Sequence, residues 1–550
     1  MTLKNPTDKY YFLFLFIVFI VLIAGLGSYG LAETSEARYA EISREMFIYG
    51  DYLNPELLGI FHFHKPPIAY YITTLGYQIF GINEFGARFF LQFAVIIQLL
   101  LVYYIADLLY KDKRIAFMAG LVYFALPIVL ISSRNLTTDA YLTTFILAAI
   151  YCWQVYSFKV KLIFLYFFYI LIGLALLTKG PVALLFILVY IVIYKIIFKK
   201  GMQITIHHIF GFLLCLTIGT SWYLLVMAEN PKLWEYFIEK QLVSRINSNS
   251  FNRSKPFWFY VPLLFGLLLP WWVALIPKFK HHIKSISKKR KETKLLLYSS
   301  FILFILFSTF STKLIMYILP IFWMTAIIIA VEIGKASRKA TTIVNVVYAV
   351  LMCILFTGLI GCYLTKPDFI HISTMSLIIS LTMIVIFAVT FYFIENNNPF
   401  KSPILAGIFG VSIIFISTSV MAHNSDLTNS TRDMVKFIDN VSDVENKKIL
   451  VYDYLLTSIP FYSDANHITL KSSHNTTDRE VQFENDDFYK ERLWDVKDSM
   501  VINRLDSLSR KRNTFLLIRN KINLNEKLSF LKNNFYRSKN YSKWTLYYNK

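Results

Sequence analysis

Apolar runs of about 20 residues, the length of a helix that crosses the hydrocarbon core of a bilayer, recur along most of this chain. Hydrophobic residues form 56% of its 550 residues, and its mean hydropathy is +0.50. Water-soluble proteins of this length carry more charge. We therefore expect an α-helical polytopic membrane protein with about thirteen spans, near residues 10–32, 86–109, 115–132, 139–157, 161–178, 181–198, 208–228, 257–277, 295–310, 314–333, 341–364, 369–394 and 401–421.

Lysines and arginines indicate the orientation of these spans, because cytoplasmic loops are enriched in them. With the N-terminus in the cytoplasm, all the basic loops fall on one side: residues 111–114, 158–161, 195–200, 277–294 and 335–339. The net charge of +21 thus needs no polyanionic partner, and we expect no nucleic acid. In a bacterium the chain would lie in the inner membrane with its C-terminal region in the periplasm; in a eukaryote that region would face a lumen.

Composition divides the chain near residue 424. Residues 1–424 are predicted to form the membrane domain, which includes a long first outer loop, 33–85. Beyond it, residues 425–550 are polar and hold a helical pattern at 431–441, followed by strand patterns in KKILVYDYLL, NTFLLIRN and WTLYYN. These patterns predict a small extracytoplasmic α/β domain.

The first outer loop carries far more ionisable residues than a simple connection needs. Ionisable groups at a membrane surface are functional candidates, because their desolvation is costly. In SEARYAEISREMFIYG, charged residues alternate with apolar ones at helical spacing, which predicts an interfacial helix whose apolar side faces lipid. The apolar set is Ala37, Ala40, Ile42, Met46 and Phe47. The alternative is a structural amphipathic helix with ion pairs such as Arg38–Glu41.

The motif HFHKPP follows in the same loop. Pro66 and Pro67 end the preceding segment and predict the start of a second interfacial helix. Lys65 at this break is a candidate to pair with a phosphate. His62 and His64 alternate, so both imidazoles can face one way, a weak signal for a divalent metal. Histidines held by hydrogen bonds are the more common explanation.

Later outer loops contribute further charged groups. Each alone is typical of an ordinary membrane-surface residue, but all share the predicted outer face, where a lipid-linked phosphate can meet an acceptor. The candidates are Asp139 in SSRNLTTDAYL, Lys179 in LTKGP, Arg245 in LWEYFIEKQLVSRIN, and Lys313 and Tyr317 in STKLIMYILP.

The order of these motifs resembles that of the bacterial lipid-carrier-dependent glycosyltransferases of the GT-C type, the aminoarabinose transferase and protein O-mannosyltransferase group. The resemblance runs from Glu33 to about Pro320. It implies a membrane domain of roughly thirteen helices and a C-terminal extracytoplasmic α/β domain. The matching segments are SEARYAEISREM, GDYLNPELLGIFHFHKPP, FGINEFGAR, RNLTTDA, LTKGP, PFWFYVP, LLPWW and STKLIMYILP.

The resemblance also implies a chemistry. The donor would be a sugar on undecaprenyl or a similar polyprenyl phosphate, transferred with inversion to lipid A, another glycolipid, a polysaccharide or a protein. An acid would activate the acceptor, and cations would stabilise the departing phosphate. By position, Glu36 and Asp139 match the family's acids; Lys65, Lys179, Lys313 and Tyr317, with Arg245 as a looser match, fall near the donor phosphate.

Two positions depart from the family pattern. Ser35 occupies the place of the first acid, and Glu33 is the candidate to replace it. His64 stands where the family commonly has Glu, which makes His64 the candidate metal ligand; Arg38 and His62 are further candidate site residues. The alternative function is a transporter or flippase of lipid-linked glycans, but transporters place ionisable residues in broken helices at mid-membrane. Here they cluster at helix ends and in outer loops.

Overall fold

The computed structural model describes residues 6–199, 204–238, 255–278, 288–441, 446–472, 481–485, 487–541 and 543–549. The chain divides into two compact units. We call Met1–Leu26 with Phe89–Val420 the membrane unit, and Gly27–Arg88 with Met421–Lys550 the loop–sheet unit. The first outer loop thus packs with the C-terminal domain, whereas its position in the sequence led us to group it with the spans.

Helices form most of the described structure. Numbered along the chain, they are α1 Pro6–Ile23, α2 Ser35–Tyr49, α3 Ile68–Phe80, α4 Glu84–Tyr110, α5 Lys113–Ala125, α6 Pro127–Arg134, α7 Thr138–Lys159, α8 Leu162–Lys179, α9 Val182–Phe198, α10 Ile206–Glu229, α11 Lys232–Glu235, α12 Tyr260–Leu267, α13 Lys291–Thr309, α14 Phe322–Ile333, α15 Arg338–Thr365, α16 Thr374–Phe393, α17 Lys401–His423, α18 Ser425–Thr428, α19 Arg432–Val441, α20 Ile459–Tyr462, α21 Ser499–Ser509 and α22 Ser529–Asn534.

Within the described residues, nine helical segments are long and apolar enough to cross a membrane, or ten if the bent pair α5–α6 is one span. The α9 helix and the segment Phe257–Leu267 are apolar but shorter. These segments confirm a polytopic helical protein, while the number thirteen stays a prediction.

The predicted span 115–132 is broken into α5 and α6, which meet at an angle of 61°. Leu126 is extended at the break, with φ −68° and ψ 128°. The cause is local: the ring of Pro127 disfavours a helical conformation in the residue before it. Pro127 itself begins α6, where its missing N–H costs nothing.

In the loop–sheet unit, six strands form one sheet in the order β3-β2-β1-β4-β6-β5. Strands β1 to β4 pair in parallel, and β6 is antiparallel to β4 and to β5. The predicted strand patterns correspond to β1, β4 and β6. The bounds are β1 Lys448–Tyr452, β2 Asn466–Lys471, β3 Leu493–Asp495, β4 Thr514–Arg519, β5 Arg537–Asn540 and β6 Trp544–Tyr548.

Apolar side chains fill both faces of this sheet. Because successive strand residues point to opposite faces, Leu450 packs on one side with α21 and α22, while Ile449 packs on the other with α19 and α20. The sheet is therefore the middle layer of an α/β unit, as the composition of residues 425–550 predicts.

The two predicted helices of the first loop are α2 and α3, but the apolar side of α2 does not face lipid. Ile42 and Met46 are at most 2% exposed and pack with Leu57, Leu58 and Tyr70 of the same loop. The prediction of a lipid-facing side was wrong because the chain after α2 folds back and covers it. The helix α3 begins directly after Pro67, as the proline pair predicts.

Candidate active site

Glu36, a predicted catalytic acid, lies in a fully buried ion pair. Its two carboxylate oxygens accept hydrogen bonds of 2.8 Å from Nε and Nη2 of Arg88, and one of them also accepts from the backbone N–H of Ala32. Arg88 further donates to the backbone oxygens of Tyr29 and Gly30. This geometry favours a structural role for Glu36, and its catalytic role stays a prediction.

Glu33 is the more accessible of the two acids and is only partly buried. Its carboxylate accepts from the backbone N–H of Ser458 at 2.6 Å and from the hydroxyl of Thr457. Burial raises the pKa of Glu33, while the hydrogen bonds from Ser458 and Thr457 and the charge of Arg38 reduce the rise. A carboxylate with a raised pKa is a stronger general base, which suits the role predicted for Glu33.

The ion pair Arg38–Glu41, offered as the structural alternative for α2, is not the one formed. Glu41 pairs instead with Arg44, through two hydrogen bonds of 2.8 Å. The Nε of Arg38 is buried and has no hydrogen-bond partner among the described residues. Arg38 thus remains beside Glu33 as a candidate site cation.

Glu45 is a buried acid that the sequence reasoning did not single out. One carboxylate oxygen accepts the N–H of Gly59 at 3.2 Å, and the other lies 3.9 Å from Nη1 of Arg492. Burial, followed by the negative charge of Glu41, raises the pKa of Glu45 to about 8. Glu56 adds to this rise, whereas Gly59 and Arg492 oppose it. At neutral pH Glu45 is therefore mostly protonated.

This protonation links stability to pH. The pKa of Glu45 is higher in the folded protein than its ordinary value of 4.5. The contribution of protonated Glu45 to the free energy of unfolding is therefore complete below about pH 4.5, and it is lost as the pH rises through about 8. We expect the melting temperature of the purified protein in detergent to fall over that interval, and to fall less in Glu45→Gln. Glu526→Gln, which changes an exposed acid, should show the same fall in melting temperature as the wild type. If the melting temperature fell equally with pH in all three proteins, Glu45 would not be the group with the raised pKa.

His62 and His64 lie side by side and are both buried. Their ring centroids are 4.5 Å apart, with the planes at 87°, and Phe483 contacts His64 from the C-terminal domain. No group of three His, Cys, Asp or Glu side chains suited to a metal ion occurs in the described part of the chain. The metal role of His64 stays a prediction, and Lys65 follows directly, partly buried.

In the membrane unit, the predicted residues Asp139, Lys179 and Tyr317 come together. Lys179 Nζ donates to the carboxylate of Asp139 and lies 4.2 Å from the centroid of the Tyr317 ring. Asp139 sits in the first turn of α7 and Lys179 at the end of α8, so each charge complements its helix dipole. Gly180, with φ +78°, lets the chain turn directly after Lys179.

Lys313 is also buried in the membrane unit, only 2% exposed. Its ammonium donates to the backbone oxygens of Lys255 and Phe310, and no ion pair to it occurs among the described residues. Tyr260 donates its hydroxyl to the backbone oxygen of Leu314 at 3.0 Å. Sequence reasoning missed Tyr260 as a neighbour of this cluster, although its motif PFWFYVP was noted. Arg245 falls outside the described residues.

Each unit holds its own group of charged residues. The membrane unit has two lysines, Lys179 and Lys313, held by a carboxylate, an aromatic ring and backbone oxygens, the kind of cationic group that binds a phosphate. The loop–sheet unit has Glu33, an acid with a raised pKa, and the cations Arg38 and Lys65.

The chain is similar in sequence to several known proteins. Residues 9–237 match the family model of dolichyl-phosphate-mannose-protein mannosyltransferase. The chain is 28% identical over 342 residues to undecaprenyl phosphate-alpha-4-amino-4-deoxy-L-arabinose arabinosyl transferase 2 of Proteus mirabilis, and 32% identical over 340 residues to the corresponding transferase of Aeromonas hydrophila. These alignments cover 61% and 60% of this chain, and 62% and 61% of the relatives' length.

Solved structures show the fold over the whole chain. The structure of ArnT from Cupriavidus metallidurans bound to undecaprenyl phosphate superposes with a TM-score of 0.77, at 19% identity, and covers 99% of both chains. Its apo form gives a TM-score of 0.76. These findings agree with the resemblance carried by the motifs between Glu33 and Pro320: the chain is similar in sequence to aminoarabinose transferases, and it has the GT-C fold of ArnT.

Proposed function

We propose that this protein is an integral-membrane glycosyltransferase that moves a sugar from a polyprenyl-phosphate donor to an extracytoplasmic acceptor. The observation that carries the proposal is the partly buried group Asp139–Lys179–Tyr317, whose lysine ammonium could pair with a phosphate. The relatives are named as transferases of undecaprenyl phosphate-linked aminoarabinose, and these names support a polyprenyl-phosphate donor. The acceptor is lipid A, another glycolipid, a polysaccharide or a protein.

In the proposed reaction, Glu33 takes the proton of the acceptor hydroxyl. The acceptor oxygen attacks the anomeric carbon and inverts it, and the bond from that carbon to the phosphate oxygen breaks. The polyprenyl phosphate leaves with the bonding electrons, and Lys179, Lys313 and Lys65 stabilise its charge. His62 and His64 offer two imidazoles to a metal ion. Since no third ligand occurs among the described residues, we assign no step of the reaction to a metal ion.

A flippase or transporter of lipid-linked glycans is the second candidate. It is less well supported because the charged groups described above lie at helix ends and in the loop–sheet unit, whereas transporters place such groups in broken helices at mid-membrane. We further propose the bacterial inner membrane as the location, with the N-terminus in the cytoplasm and the loop–sheet unit outside, from the distribution of basic loops.

The test is transfer by the purified protein in detergent or liposomes, with polyprenyl-phosphate sugars as donors and lipid A or a glycan as acceptor. We expect consumption of at least one donor with release of polyprenyl phosphate. If no donor were consumed while lipid-linked glycan crossed the liposome membrane, the transporter would replace the enzyme.

The pH dependence of transfer tests Glu33. A general base must be deprotonated, so kcat/KM should fall on the acid side through the pKa of Glu33, which burial places above its ordinary value. We expect this acid limb above about pH 4.5, the ordinary pKa of glutamate. The limb should disappear in Glu33→Gln, with most of the activity lost. Retention of full activity and the same limb in Glu33→Gln would exclude Glu33 as the base.

A further inference from the structure

The C-terminal domain contacts the part of the first loop that leads to Lys65. In this part, the chain turns tightly between Pro55 and His62. The N–H of His62 donates to the backbone oxygen of Pro55 at 2.7 Å, and the backbone N–H groups of Leu57 and Ile60 each donate to the other residue's carbonyl oxygen. Leu58 and Gly59 both have positive φ, 61° and 69°. We call residues 55–64 the first-loop hairpin.

Such a hairpin is not self-supporting. A two-stranded hairpin is at best marginally stable in water, and a leucine with positive φ is strained. Contacts from elsewhere must therefore hold residues 55–64 in this conformation. Within the loop–sheet unit, helix α2 provides one set, because the carboxyl group of Glu45 accepts a hydrogen bond from the N–H of Gly59.

The second set comes from three residues of the C-terminal domain. Glu484 accepts the backbone N–H of Phe61 at 2.6 Å, a short hydrogen bond to a charged acceptor, which is stronger than a neutral one. Phe483 is only 1% exposed. Its ring packs edge-on against the ring of Phe63, with centroids 5.6 Å apart, and its centroid lies 5.7 Å from that of the His64 ring.

Arg492 supplies the third contact. Its side chain packs against Gly59: a Cβ at that position would be in ordinary van der Waals contact with Cδ of Arg492, at 3.5 Å. Its guanidinium lies 3.9 Å from Glu45 and donates to the hydroxyl of Tyr49 at 3.4 Å. Arg492 therefore ties the turn of the hairpin to helix α2.

We propose that Phe483, Glu484 and Arg492 are positioning residues: they hold the first-loop hairpin and thereby place Lys65 for the donor phosphate. This inference rests on the proposed function, and it assigns the C-terminal domain a role in donor binding through the loop it supports. None of the three residues needs to touch the substrate.

The test compares full-length variants at Glu484 with a matched control. Glu484→Ala removes the acceptor for Phe61, Glu484→Gln keeps an oxygen in its place, and Glu526→Ala removes an exposed acid of the same domain. Hydrogen exchange of the hairpin peptide, melting temperature, and KM and kcat for a polyprenyl-phosphate sugar are measured for each.

We expect Glu484→Ala to accelerate exchange of the Phe61 amide and to raise KM about tenfold, the effect of one charge-assisted hydrogen bond. A fall in kcat should accompany this change, because Lys65 also stabilises the departing phosphate. Glu484→Gln should restore most of the wild-type KM, and Glu526→Ala should match the wild type throughout. Faster exchange with an unchanged KM would overturn the positioning role, as would a general loss of protection across the sheet.

The two proposals can fail separately. If the wild type transfers no sugar, the proposed function fails, and the Kd for undecaprenyl phosphate then replaces KM. A tenfold weaker Kd in Glu484→Ala, rescued in Glu484→Gln, would still support the positioning role, whereas equal affinity would overturn it. Arg492→Ala provides an independent second variant, for which the same rise in KM or Kd is expected.

Discussion

Replacing Arg88 with methionine is expected to destabilise the loop–sheet unit by about 3–5 kcal/mol, because the carboxylate of Glu36 would remain buried without its partner. Arg88 is 0% and Glu36 1% exposed, so water cannot replace the lost hydrogen bonds. The backbone oxygens of Tyr29 and Gly30 would lose their donor as well. Unfolding followed by tryptophan fluorescence in detergent measures the effect.

Two controls separate this effect from a general sensitivity to charge. Arg510→Met breaks an exposed pair with Asp506 and should leave stability unchanged within error, since such pairs contribute little. The double variant Arg88→Met with Glu36→Leu removes both buried charges and should recover much of the loss. If Arg88→Met alone were as stable as the wild type, the buried pair would not be structural.

Replacing Lys179 with methionine is expected to lower kcat/KM for the polyprenyl-phosphate donor about 100- to 1,000-fold. That is the usual cost of removing one group that stabilises developing charge in a buried site. Methionine keeps a side chain of similar length, so it removes the ammonium that lies between Asp139 and Tyr317 while preserving much of the packing. The rate of polyprenyl phosphate release measures the effect.

The matched control is Lys335→Met, which removes an exposed lysine of the same unit and should keep full activity. Lys179→Arg retains the charge and should lose less activity than Lys179→Met, because a guanidinium can still pair with Asp139. Full activity of Lys179→Met, with a normal melting temperature, would remove the phosphate-binding role from this cluster.

The sheet illustrates what a sequence pattern can and cannot predict. Strands β1, β4 and β6 lie in the interior of the sheet, and their apolar runs or alternation made them recognisable. Strands β3 and β5 form its edges: β3 has only three residues, and the four residues of β5 are all exposed. Edge strands of this kind carry little hydrophobic signal, which is why they were missed; β2 was missed although most of it is buried.

Helix α2 shows a second limit. Its amphipathic pattern correctly predicted a helix with one apolar side, but the same pattern fits a side that faces lipid and a side that faces protein. Burial of Ile42 and Met46 against Leu57 and Leu58 decided between them. The hairpin that brings these leucines back has no distinct periodicity of its own.

By itself, the sequence determined that this is a polytopic membrane protein, because long apolar runs have few other stable environments, and the order of its motifs determined which proteins it resembles. Only the tertiary structure decided how the acids are used. Glu36 pairs with Arg88, 52 positions away, and Glu33 bonds Ser458, 425 positions away. A carboxylate's partner depends on which distant segments pack beside it, and burial of that contact sets its charge and reactivity.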